Sequence, residues 1–374
     1  MLSRLKFELD ELIDEMLSHI PNEMWESKKT TFCDLQMGGG QFIKKIIKKL
    51  QEAGHSDKNI KNRIYGYSEN DLYLSYVISD KKIIGNFDIY NEETIGNMKF
   101  DVIVGNPPYQ NVIEGDHKSK KTLWAEFILK SNNILNINGI LSLIVPDGWN
   151  SPTNDIPENS ISIFNDIFKN ENLIYCADNS IIKPYFKGIG QSFSMFIFCK
   201  NKLYKTTQFR TSTEKFEYNI NRLYFIPKKI NKISFSIHDK VLNKKNDKFV
   251  FERYQKKDGG MLDNRHPHYN NRKLKFSRGL SKFKIDYDEG NCGYDVFTYA
   301  YFLNEKEDIQ SAISLFNSKL YNLILNQKWN QYFTKYIPNQ IPKLPLNKIY
   351  TDIDLYKEFN LTQEEINYIE NYVG

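Results

Sequence analysis

No apolar run in this chain approaches the roughly 18–20 consecutive residues that a membrane-spanning helix needs. The amino terminus, MLSRLKFELDELIDEML, carries acids where a secretory signal would carry an apolar block. A cytoplasmic protein without membrane contacts is therefore expected. Cysteine is scarce. Cys33, Cys176, Cys199 and Cys292 are far apart and form no CxxC or Cys/His ligand pattern, which argues against a disulfide framework or a zinc module and for reduced, buried thiols. No metal requirement is expected. Neither GxGxxG nor the Walker pattern GxxxxGK[ST] occurs, so the standard dinucleotide and P-loop sites have no support. Internal repeats and low-complexity tracts are missing too.

What is present is aromatic and unevenly charged. The 374 residues are 40% hydrophobic and 26% charged, with 25 Phe and 24 Tyr. That length suits two domains, each with its own core. The net charge of +5 hides an asymmetry: residues 183–289 hold 25 Lys and Arg against 10 Asp and Glu, a balance of 25 − 10 = +15, which leaves 5 − 15 = −10 for the rest. Such a region suits a polyanionic partner, or it is a solvated lysine-rich surface. Composition does not choose between the two.

Along the first 200 residues, strand and helix patterns alternate. Leu5, Leu9, Leu12, Ile13 and Met16 fall at helical spacing within residues 3–20. TTFCDLQM then reads as a strand running into a glycine turn, and GQFIKKIIKKLQEAG as a helix closed by Gly54. Strands follow in NRIYGYSEN, KIIGNFDIY, KFDVIVGNPPY and GILSLIVPDGW, with helices in DLYLSYVIS and TLWAEFILKSNNIL between them, and ENLIYCADNS and SFSMFIFCKN as two last strands. This alternation predicts an α/β fold, a doubly wound and mostly parallel sheet over residues 1–200. Residues 201–374 mix short strands, loops and amphipathic helices, including IQSAISLFNSKLYNLILNQ and TQEEINYIENYV. They predict a second, mixed α+β domain.

Two segments carry chemistry. In CDLQMGGGQF the first strand ends at Asp34 and a helix starts after Gly40; glycines permit close approach of a ligand, and the helix amino terminus offers free N–H groups. In FDVIVGNPPYQNV a buried strand stops at Gly105, and Asn106, Pro107, Pro108 and Tyr109 follow. The two prolines cannot extend a central strand. They hold Asn106 extended, at the carboxyl edge where open α/β sheets bind ligands. An amide acceptor, a rigid carbonyl and an aromatic face suit a flat group bearing an exocyclic amino group.

Asn-Pro-Pro-Tyr after the fourth strand, with a glycine turn after the first, resembles the S-adenosylmethionine-dependent DNA N6-adenine methyltransferases, in the motif order of the Eco57I and TaqI restriction-modification methylases. The motif resemblance covers roughly residues 1–200. It implies a Rossmann-like catalytic domain over 1–200 that binds S-adenosyl-L-methionine, and a DNA target-recognition domain over 201–374. The family's acid-Pro-x-x-Gly-x-Gly turn matches Asp34, Gln36, Gly38 and Gly40, with Leu35 in place of proline. The ribose-binding acid would be Glu69, one position beyond the matching Ser68. Asn86 and Phe87 would flank the cofactor's adenine, with Asp88 as the fallback. Phe127 matches an aromatic beside the flipped base, or is a core residue.

The implied mechanism needs no strong base. Asn106 Oδ1 and the Pro107 carbonyl accept hydrogen bonds from the target amino group, and Tyr109 stacks on a base rotated out of the duplex. In the basic half, NNRKLKFSRGLSKFK sets Arg272, Lys273, Lys275, Arg278, Lys282 and Lys284 among Phe276 and Phe283, a surface for phosphates and stacked bases. Arg265, in NRHPHY with His266 and His268, lies in an expected reading loop. Double-stranded DNA is the expected partner, and a separate cognate restriction endonuclease is left open. The same motif also resembles methyltransferases of RNA guanine and of protein glutamine, and an inactive DNA-binding homologue would keep the fold.

Overall fold

The computed structural model describes residues 2–67, 98–107, 109, 123–150, 162–169, 173–186, 188–201, 205–253, 262–326, 333 and 335–372. Two compact units divide the chain: residues 1–149 with 154–220, and residues 150–153 with 221–374.

Among the described residues, the first unit is built on an eight-stranded sheet. Its strands are β1 (Phe32–Asp34), β2 (Ile64–Gly66), β3 (Phe100–Gly105), β4 (Leu135–Pro146), β5 (Leu173–Ala177), β6 (Phe193–Cys199), β7 (Thr207–Arg210) and β8 (Lys215–Tyr218), in the order β2-β1-β3-β4-β6-β5-β7-β8. β1 pairs in parallel with β2 and β3, β3 with β4, and β5 with β7. β6 runs antiparallel between β4 and β5, and β8 antiparallel to β7. Both faces are covered, which is why β3 reads as a near-continuous apolar run. Val102 and Val104 share one core with Leu12, Ile13 and Met16 of α1 (Leu2–Ser18) and with Ile43 and Ile46 of α3 (Gln41–Glu52); α2 (Asn22–Glu26) adds Trp25. On β6 the alternate residues Phe196 and Phe198 pack instead against Phe168, and Trp149 stacks edge-on to Phe168 and Phe196. Helix α4 (Asp57–Lys61) follows α3, α5 (Trp124–Ile134) leads directly into β4, and the short α6 (Asn179–Ile182) follows β5.

The doubly wound α/β sheet is as expected, but the unit continues to residue 220 and not 200. The hairpin of β7 and β8 adds to the sheet edge because Tyr175, Cys176 and Ala177 pair with Gln208, Phe209 and Arg210. Fading alternation hid this, since two four-residue strands without an intervening helix leave no βαβ signature.

The second unit holds an antiparallel sheet of β9 (Glu252–Arg253), β10 (Lys273–Ser277), β11 (Asp286–Asp288) and β12 (Thr298–Phe302), in the order β11-β10-β12-β9. Leu274 and Phe276 face Tyr301 and Tyr299 across β10 and β12. They join a core with α7 (Lys232–Leu242), α8 (Ile309–Phe316), α9 (Lys319–Leu325), α10 (Asp352–Glu358) and α11 (Gln363–Glu370). The segment read as one long helix is two, because Asn317 ends α8 and the Ser318 hydroxyl caps α9 by accepting from Tyr321 N. Among the described residues no helix is long and apolar enough to cross a membrane.

Candidate active site

The carboxyl ends of β1, β2 and β3 converge. β1 ends at Asp34, whose carbonyl accepts from Tyr67 N at 2.9 Å, while Met37 N donates back to Tyr67 O at 2.8 Å. The turn after β1 is thereby tied to the end of β2. Gly40 caps α3 in a left-handed conformation at φ +71°, and Gly38 also has positive φ, +47°. A Cβ at Gly38 would meet no atom within 4 Å, so glycine is required there by the backbone and not by crowding.

Asp34 is fully buried. Its Oδ1 accepts from Gln36 N at 3.1 Å, and its Oδ2 is buried with no hydrogen-bond partner. Burial pushes its carboxyl up from 3.8 to about 7, against the lowering effect of the Gln36 N–H. A Cβ on Gly105 would lie 2.9 Å from Asp34 Oδ1. The turn after β1 and the strand that delivers Asn106 are thus in direct contact.

Past Gly105, Asn106 is half-buried and Pro107 buried. The Tyr109 hydroxyl donates a hydrogen bond to Asn106 Oδ1, and Leu123 N donates to Tyr109 O at 3.1 Å. The Tyr109 ring lies 5.1 Å from that of Phe193, the first residue of β6, and Phe193 stacks on Phe186 at 5.0 Å. Burial raises the Tyr109 phenol above its usual range, so the hydroxyl remains a donor. Asp34, Gln36, Asn106, Pro107, Phe127 and Ser131 line one small cleft. Phe127 is 3% exposed on α5. Phe186 and Phe193 were missed in the sequence; alternation in SFSMFIFC puts Phe193 on the face opposite Phe196 and Phe198 but does not say which face meets Tyr109. Ser68, Glu69, Asn86, Phe87 and Pro108 lie outside the described residues, as does Asp88.

In the second unit, Arg265 forms an exposed pair with Asp263 at 2.5 Å. Arg272 lies 3.5 Å from Glu289. Lys275 and Arg278 are half-buried, on and just after β10. Other expectations for this stretch fail on burial. Lys273 is fully buried, with its ammonium 2.8 Å from Asn271 O, 3.2 Å from His268 O and 3.1 Å from Asp288 Oδ1. Phe276 and Phe283 are core residues at 1% and 5% exposure. His266 is buried and accepts from His268 N through Nδ1 at 3.0 Å; the loop it was expected to display is folded around it.

Comparison with known proteins gives the following. The family model for the Eco57I restriction-modification methylase matches residues 23–180. A curated relative, an uncharacterized adenine-specific methylase of Mycoplasma pneumoniae, is 29% identical over 105 residues, which is 26% of this chain and 24% of that protein. The chain thus spans about a quarter of the relative it matches. Similar solved structures include the type IIG restriction endonuclease BpuSI, at 11% identity and TM-score 0.44 over 98% of this chain and 60% of that one. Another is the methyltransferase subunit of a type I restriction-modification system from Streptococcus thermophilus, at 15% identity and TM-score 0.36 over 48% of this chain and 42% of that one. The resemblance read from the glycine turn and the Asn-Pro-Pro-Tyr segment accordingly holds over residues 23–180, where the chain matches the Eco57I restriction-modification methylase family.

Proposed function

We propose that this protein transfers a methyl group from S-adenosyl-L-methionine to the N6 amino group of adenine in double-stranded DNA. The observation that carries the proposal is the placement of Asn106, Pro107 and Tyr109 at the end of β3, against the Asp34 turn at the end of β1. The chemistry of the turn fits the cofactor: Gly38 opens onto free space, and the orphaned Asp34 Oδ2 awaits a donor or cationic group. When bound, S-adenosylmethionine supplies an activated methyl on a sulfonium centre.

The chain's own residues do the rest. The adenine amino nitrogen is a poor nucleophile, because its lone pair is delocalised into the ring. Asn106 Oδ1 and the Pro107 carbonyl, accepting its two protons, favour a pyramidal nitrogen whose lone pair is free to attack. To reach Asn106 the substrate displaces the Tyr109 hydroxyl, which already marks the position of a donor. The Tyr109 ring, backed by Phe193, offers a stacking face that offsets the few kcal/mol of unstacking a base from the duplex. The proton released after transfer passes to water.

In this proposal the second unit recognises the target sequence, with Arg265, Arg272, Lys275 and Arg278 on the DNA. A separately encoded restriction endonuclease with the same target is the natural partner, and the site of action is the cytoplasm. The test is incubation with isotope-labelled S-adenosylmethionine and unmethylated duplex DNA, followed by nucleoside digestion. Label in N6-methyladenine supports the proposal; label confined to RNA or protein, or none, overturns it.

A further inference from the structure

Phe297 is the only exposed phenylalanine among the residues whose side chains are described, at 60% exposure. A solitary exposed ring is ordinary on a protein surface, but this one sits in a braced frame. Asp295 Oδ1 accepts from Phe297 N at 3.0 Å and from Thr298 Oγ1 at 2.7 Å, an Asx turn that leads into β12. Phe297 O accepts from Arg278 N at 3.0 Å. Val296 O accepts from Arg253 Nε at 2.7 Å, and the Val296 side chain packs on the small cluster around Tyr294 and Ala300. The backbone on both sides of the ring is therefore fixed, and the exposed Arg253 of β9, bonded to Val296 O, lies beside that turn. Asp295 Oδ1 is engaged in the turn.

We propose that Phe297 is a base-stacking residue, whose ring enters the base stack of bound DNA while Arg253 engages the adjacent phosphate. A planar apolar ring on a turn that also holds a guanidinium matches a nucleic acid chemically, since bases supply flat faces and the backbone supplies anions. Presenting the ring on a rigid turn lowers the ordering cost on binding. The inference rests on the DNA reading above and adds to it contacts at Phe297 and Arg253, next to Arg278 of the basic stretch already singled out.

The experiment measures affinity of the full-length protein for fluorescently labelled, unmethylated genomic DNA fragments across a salt series. Phe297 is exposed, so Phe297→Ala should fold normally, as circular dichroism will verify. Loss of one stacked base weakens binding by roughly 5- to 100-fold with an unchanged salt slope, whereas Arg253→Ala lowers the slope by about one. Phe297→Trp should retain affinity, and Phe297→Leu, apolar but without a π-face, should not. If Phe297→Ala binds as the wild type does, or if Leu substitutes fully for Phe, the stacking role is wrong and the DNA reading stands. If the wild-type protein itself does not bind DNA, both fall.

Discussion

Asp34→Asn separates the electrostatics of the candidate cofactor turn from its shape. In the folded protein the carboxyl titrates at about 7, because burial penalises its charge and only the Gln36 N–H compensates. In the unfolded chain it titrates near 3.8. Between those values the folded state keeps a proton that the unfolded state has lost, so stability falls as pH rises from about 4 to about 7 and levels off above. Over that window the penalty reaches about 4 kcal/mol. Asparagine has nearly the same shape, retains an acceptor for Gln36 N and never ionises. The variant should therefore match the wild type near pH 4 and exceed its stability by up to about 4 kcal/mol at about pH 8. Urea unfolding at several pH values, followed by hydrogen exchange of the β1 peptide, measures the difference. A cationic ligand group beside Oδ2 would draw the wild-type carboxyl back toward ionisation, so stabilisation by S-adenosylmethionine should grow with pH in the wild type and not in the variant. Parallel pH profiles for the two proteins would refute the argument.

Other substitutions probe neighbouring contacts. Asn106→Ala should keep S-adenosylhomocysteine binding by calorimetry while turnover drops by at least roughly 100-fold, as for loss of a group that acts only in the transition state; normal turnover removes Asn106 from the mechanism. Gly105→Ala forces a methyl to within 2.9 Å of Asp34 Oδ1 and should cost about 1–3 kcal/mol in urea unfolding. Lys273→Met strips a buried ammonium from Asp288 and from the carbonyls of His268 and Asn271. It should destabilise the second unit by about 3–5 kcal/mol, a loss that a melt of the wild type and variant side by side will show or deny.

The sequence by itself determined β1 to β6 of the first sheet and the position of Asn106. Apolar runs bounded by glycine and proline have few alternatives, and consecutive prolines end a buried strand wherever they occur. It also determined that Asp34 and Asn106 lie at strand ends. Only the tertiary structure decided that these ends touch, since β1 and β3 are adjacent through parallel pairing across 70 residues of chain. The burial that raises Asp34 is likewise a property of that junction and not of the local sequence. In the second unit the limits are sharper. Lys273, Lys275, Phe276 and Phe283 look alike as a basic and aromatic string, yet β10 alternates its faces. Pairing against β12 sends Leu274 and Phe276 into the core, and Lys273 is enclosed by carbonyls. Which aromatic remains outside is fixed by the turn at Asp295. Period-two alternation can be read from a sequence; which of its two faces is covered depends on everything that packs against it.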